Sequence, residues 1–217
     1  MKSQLRRLWA DNRRYFLASA LLFLGGMLIG YMQSAAVQEM VNQLLGQLKE
    51  VVDRIRENGG GAFATFWAIY TNNVISALMM MAMGLFFGVF PIFGMLANGI
   101  LLGFILSTYS TAGINPLLVF AAGILPHGIF ELAAVFFAAG IGIRLGGLVL
   151  RSIGLLFQPG KGERVKNDWY DTLKQFPAAV LLVIVLLLVA GVVESVITPM
   201  ILEAALGEQL EQLRLLK

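Results

Sequence analysis

The chain contains no cysteine, which removes disulfide frameworks, thiolate-bound zinc, thiolate-ligated haem and iron–sulfur clusters from consideration. Redox compartment is left open by that absence. Charge is scarce as well: Asp, Glu, Lys and Arg make up 13% of the residues, against about 25% in ordinary soluble domains. Histidine occurs once, at His127. Hydrophobic residues make up 58%, so the composition is that of a membrane protein. No stretch outside the apolar runs is large enough for a soluble enzyme core, and the GxSxG and HExxH signatures are missing. GKGE at 160–163 lacks the remainder of any phosphate-binding loop. The expectation is a non-enzymatic chain with no cofactor and no nucleic-acid partner, surrounded by lipid bilayer.

Five runs are long enough to cross a hydrocarbon core of about 30 Å at about 1.5 Å per residue. The first, 15–32, reads YFLASALLFLGGMLIGYM; it outruns a signal-peptide core and lacks a small-residue cleavage site, so it reads as a span. The second runs from 66 to 91 and the third from 92 to about 108, joined without a charge as a tight hairpin with Pro91 and Gly94 as candidate breakers. The fourth covers 116–143, and the fifth covers 177–198 and ends at Pro199. The predicted fold is an all-α polytopic helical bundle forming one membrane domain over 1–217.

The basic residues choose its orientation. Lys2, Arg6, Arg7, Arg13 and Arg14 precede the first span, and Arg144, Arg151, Lys161, Arg164, Lys166 and Lys174 lie between the fourth and fifth. Lys49, Arg54, Arg56, Arg214 and Lys217 fall on the other side, among Glu39, Glu50, Asp53, Glu57, Glu203, Glu208 and Glu211. The positive-inside rule then predicts a multi-pass cell-membrane protein with a cytoplasmic N-terminus and an external C-terminus.

Three segments lie outside the predicted spans. At 34–58, Val37, Val41, Leu44, Leu48, Val51 and Ile55 alternate at steps of four and three, the seam of an external amphipathic helix. That seam can pack on its own bundle, lie on lipid, or pair with a second copy as a homodimer; GGGA at 59–62 ends it. Residues 144–176 read as a cytoplasmic interfacial segment, with Arg144 and Arg151 two turns apart, that either continues the fourth helix or lies on the inner leaflet. A compact polar loop follows, and Trp169 and Tyr170 mark the interface before the fifth span. Residues 200–217 read as an external amphipathic tail.

Polar groups inside lipid are costly and therefore informative, at roughly 2.5 to 3.5 kcal/mol per ionisable side chain on insertion scales. The candidates are Asn72 and Asn73 at the start of the second span, Asn98 near the start of the third, His127 and Glu131 inside the fourth, and Glu194 toward the external end of the fifth. His127 and Glu131 are four residues apart and share a helix face. Pro126 removes a backbone donor and kinks its helix, freeing a carbonyl that His127 or an asparagine can partly satisfy. Gly128, with Gly25, Gly26, Gly84, Gly88, Gly99 and Gly103, is a candidate for close helix approach. A metal would want three or four ligands, and one His with two carboxylates is a poor supply, so no metal is expected. A polar latch registering the bundle is the expected role, with a proton or ion relay as the alternative.

The order FxxxYxNNxxxAL from Phe66, ANGxxxG from Ala97, LPHGIFELAA from Leu125 and ESxITP from Glu194 resembles the stage II sporulation protein M family of membrane proteins. The resemblance covers about residues 10–200. It implies a small multi-spanning protein without catalytic activity of its own, whose founding member anchors cell-wall hydrolases, a transglycosylase and an amidase, during engulfment of the forespore. Members also occur where no spore is made, and the PHGIFE form is closer to that wider group. Two functions follow as expectations: a scaffold that holds partners such as peptidoglycan hydrolases with its external helices, or a small permease using His127, Glu131 and Glu194. Without a nucleotide motif, a permease would draw on a gradient or a separate ATPase. A reporter active only in the cytoplasm is expected to stay dark when fused after residue 217 and to be bright when inserted near residue 160; the reverse pattern would invert the orientation.

Overall fold

The computed structural model describes residues 2–32, 35–57, 59–157 and 159–215. Among these the chain is helical throughout, with no strand. The helices are α1 (Lys2–Tyr31), α2 (Ala35–Glu57), α3 (Gly61–Met83), α4 (Val89–Thr111), α5 (Pro116–Val119), α6 (Leu125–Gly154), α7 (Gly162–Val192) and α8 (Thr198–Leu215). A π-helical turn, Phe120–Ile124, joins α5 to α6, and a second, Val193–Ile197, joins α7 to α8. Five helical stretches are long and apolar enough to cross a bilayer: Arg6–Tyr31, Gly61–Met83, Val89–Thr111, Pro116–Gly154 and Gly162–Gly207. The chain is a multi-pass, all-α membrane bundle. Leu21, Leu28, Phe63, Leu117 and Leu181 stand exposed on its outside, as side chains facing lipid do.

Helix α6 is the central element, packing against α1, α3, α4 and α7. Its Ala134, Phe137, Ala138, Ile141 and Leu145 meet Ala77 and Met81 of α3 and Val183 and Leu187 of α7 in the main core. Lipid tails are as apolar as leucine, so helices here gain from close backbone approach rather than from escaping water. Helices α1 and α4 achieve it with paired glycines four residues apart. A Cβ on Gly26 or Gly30 would collide with the backbone of Leu96 or Ile100, and one on Gly99 or Gly103 with that of Phe23 or Met27. Gly25 faces open space and Gly128 meets only Ile124 and Leu132 of its own helix region, so neither admits a neighbouring helix.

The hairpin between α3 and α4 turns at residues 84–88, ahead of the expected breakers. Phe87 adopts φ 59° and Gly88 φ 75°, a left-handed pair that a non-glycine residue enters only at a cost. The turn is clamped on α6: a Cβ on Gly142 or Gly146 would strike Met80 or the backbone of Phe87 and Gly88. Pro91 sits buried in the first turn of α4, where its missing N–H costs no helical hydrogen bond. Gly94 continues that helix.

Two further expectations change for a common reason. Residues 144–154 continue α6, one of the two readings given for them, whereas the loop expected at 158–176 is helical from Gly162, so α7 begins well before Pro177. Pro199 does not end the last span, and 200–215 extends it as α8. In each case tertiary partners hold the segment: Trp169 Nε1 donates to Ser152 Oγ at 2.9 Å, Val165 and Thr172 are buried, and Leu206 packs with Ile114 and Val119.

The same end of the bundle buries Arg144, 9% exposed. Its Nη1 donates to Asn12 Oδ1 at 2.9 Å and to Gln175 Oε1 at 3.2 Å, while Gln175 Nε2 donates to Asp11 Oδ2 at 2.6 Å. Arg151 pairs with Asp168 at 2.8 Å. The two arginines therefore tie α1, α6 and α7 together. The seam of α2 turns inward: Val37 and Val41 are buried on Ile100, Leu101 and Phe104, while the side chain of Leu48 lies outside the described residues. Gly30→Ala is expected to lower the thermal stability of the solubilised protein, by about 1–3 kcal/mol as overpacking does. Gly25→Ala should leave it unchanged or slightly higher, and equal effects would remove the close-approach account.

Candidate functional site

Pro126 and Pro199 occupy matching places. Each follows a five-residue π turn and one further residue, FAAGI-L-P and VESVI-T-P. In a regular α-helix a proline leaves the carbonyl four residues back without its donor and drives its ring against that carbonyl. Here the widened turn carries the chain across instead. The amide of Leu125 donates to Phe120 and the amide of Thr198 to Val193, each reaching back five residues. The helix passes each proline unbroken, with one extra residue in the turn. Such insertions recur at functional sites.

The two π turns bring three ionisable side chains together. Glu194 lies within the second, and His127 and Glu131 occupy the first turns after the other. One ligand atom from each of His127, Glu131 and Glu194 lies within 4.8 Å of the others. His127 Nε2 stands 3.7 Å from Glu131 Oε2, beyond hydrogen-bond range. The ring's Nδ1 is engaged elsewhere, 3.1 Å from the buried Thr198 hydroxyl. It does not satisfy the helix carbonyl that Pro126 was expected to free. Glu131 Oε1 accepts from Asn73 Nδ2 at 2.9 Å. Glu194 Oε2 is buried and has no hydrogen-bond partner among the described residues.

Two contacts between helices, Asn73 to Glu131 and His127 to Thr198, join the cluster as a latch would, and between them potential acceptor atoms of His127, Glu131 and Glu194 converge. With their nearest oxygens within 4.8 Å of each other, two ionised carboxylates would repel by about 3 kcal/mol or more at an effective dielectric near 20. What the site can do chemically is take up positive charge, as a proton or as a metal ion coordinated by His127, Glu131 and Glu194. The one imidazole and two carboxylates counted in the sequence are brought together here, Glu194 coming from a different helix than His127 and Glu131.

The asparagines divide between the triad and its approach. Asn73 lies near the middle of α3 and Asn98 near the middle of α4, deeper than the helix starts expected of them. Asn98 Nδ2 donates to Gly94 O at 2.8 Å. Asn72, Asn73, Ser76, Asn98 and Glu131 line a cavity of about 210 Å³, with Leu44 and Val51 of α2 on its wall. The triad thus adjoins an amide-rich cavity that α2 borders. Thr198 belongs to the ESxITP string, but a threonine bonding an imidazole on another span leaves no periodic signal.

The family model described as stage II sporulation protein M matches residues 19–199, a range that contains both π turns and all three ionisable residues. An uncharacterized protein of Methanocaldococcus jannaschii is 31% identical over 136 residues, which is 63% of this chain and 72% of that one. No solved structure matches the chain. Asn73→Leu is expected to destabilise the solubilised protein by about 1–3 kcal/mol, since Glu131 loses its donor while staying buried. Glu194→Gln should be neutral or stabilising in the same unfolding measurement; a large loss there would restore the latch.

Proposed function

We propose that this chain, which belongs to the stage II sporulation protein M family, is a non-enzymatic membrane protein that binds a cation inside its bundle and passes it along a polar pathway. One observation carries the reading. Glu131 is at once a member of the three-residue cluster and part of the wall of the amide-lined cavity. Ionisable groups kept within a membrane face a partner or a water-filled space and mark ion routes. Asn72, Asn73, Ser76 and Asn98 supply the oxygens and amides that replace part of a hydration shell on the way in. The driving force is a gradient or a separate ATPase. The positive-inside rule orients the cavity and α2 toward the external face.

One feature favours a second reading, an anchor for partner proteins such as cell-wall hydrolases. The outer face of α2, with Gln38, Glu39, Asn42, Gln43, Lys49 and Glu50, is exposed, a charged surface suited to a protein partner. Its apolar seam is already used on the bundle, so a homodimer through that seam receives no support from the geometry. The two readings separate in proteoliposomes. Flux of protons or divalent cations down an imposed gradient is expected for the native chain, with at least about a tenfold loss in Glu131→Gln at unchanged folding, the size of effect typical when a binding group is removed. Absence of flux for the native chain, with hydrolases recovered on α2 from native membranes, would replace the pathway by the anchor.

A further inference from the structure

We infer that His127, Glu131 and Glu194 form a binding site for a divalent transition-metal ion of the zinc, manganese or cobalt kind. The inference deepens the cation-pathway reading and rests on it for the metal's route, though not for its binding. One ring nitrogen of His127 and one oxygen each of Glu131 and Glu194 converge within 4.8 Å; Nε2, 3.7 Å from Glu131 Oε2, offers a lone pair when Nδ1 carries the ring proton and donates to Thr198. Each of the first two has its remaining polar atom held from behind, His127 Nδ1 by the Thr198 hydroxyl at 3.1 Å and Glu131 Oε1 by Asn73 at 2.9 Å. That is the kind of outer-shell arrangement that orients metal ligands, a hydrogen-bond partner for the imidazole and a donor for the carboxylate. Glu194 Oε2 is buried without a donor among the described residues, a state that a bound cation relieves.

Charge and ligand type narrow the class. Two ionised carboxylates and a neutral imidazole carry two negative charges, which one divalent ion cancels, as two protons also would, whereas one sodium ion leaves a net charge inside the bilayer. Calcium takes six to eight oxygens and magnesium keeps its waters, so neither suits a site with an imidazole among three protein ligands. Copper(I) prefers the thiolates this chain lacks. An imidazole with two carboxylates suits zinc, manganese, iron or cobalt, and three ligands leave a coordination position for water or an incoming group. Such open sites exchange their metal, in contrast to closed four-ligand structural ones. The approach is on the Glu131 side, through the cavity lined by Asn72, Asn73, Ser76 and Asn98.

The test uses the full chain, stripped with a chelator in detergent, titrated with Co²⁺ and followed by visible absorption, with Zn²⁺ as competitor. A single saturable site is expected, with a ligand-field spectrum unlike aqueous Co²⁺ and full displacement by Zn²⁺. Glu194→Gln, which preserves side-chain volume, should weaken binding by on the order of 100-fold or more, and Thr198→Val by roughly 10- to 100-fold, both at native helicity. An unchanged Co²⁺ spectrum in the native chain, or equal affinity in Glu194→Gln, overturns the metal site. Proton flux without metal binding would overturn it while leaving the cation pathway standing. Metal binding without flux would support the site and remove the pathway.

Discussion

Hydrocarbon offers no partner to an unpaired amide or carbonyl, and the shape of this bundle follows from how the chain meets that constraint at its prolines. Pro126 and Pro199 each lie within an apolar stretch where a broken helix would strand backbone groups in lipid. The chain widens by one residue ahead of each, so the helix continues and the backbone stays paired on either side. Because the insertion rotates everything beyond it, the two widened turns also set the direction of the side chains around them. Glu194 sits within one, and His127 and Glu131 follow the other. The backbone solution and the polar centre are thus one feature of the fold.

The bundle handles its buried charge in two opposite ways. At one end Arg144 is surrounded by acceptors, Asn12 and Gln175, with Asp11 bonded to Gln175 behind them. That network joins α1, α6 and α7. In the interior, Asn73 and Thr198 partner Glu131 and His127, while Glu194 Oε2 has no donor among the described residues. The contrast is the physical ground for assigning a structural role to the arginine and a ligand-taking role to the triad.

Much of this was legible along the chain. Scarce charge and five long apolar runs required a polytopic helical bundle, because only helices and closed barrels pair their own backbone in lipid. The small set of intramembrane polar residues already contained the whole triad, since an ionisable group there is rare enough to count. Helix ends were less legible. Residues 158–176 and 200–215 have the polarity of loops or surface helices, yet Trp169, Thr172 and Leu206 find partners on other helices that keep them continuous with α7 and α8. Pro91 and Gly94 looked like breakers by residue type, but the turn fell at residues 84–88, where glycines of α6 allow it to dock. Arg144 gave no sign of its burial in the sequence, because its partners Asn12 and Gln175 lie far off along the chain.

By itself the sequence determined the class of fold, the number of crossings, the family and the inventory of groups able to carry charge within the membrane. These depend on composition and on local spacing. Tertiary structure decided what those groups do together. Glu194 joins His127 and Glu131 only because α7 runs beside α6 and both widen at a proline. Asn73 and Thr198 became the partners of Glu131 and His127 only through helix packing. No local pattern encodes a distance between side chains on separate spans, and it is that distance which turns three isolated polar residues into a site.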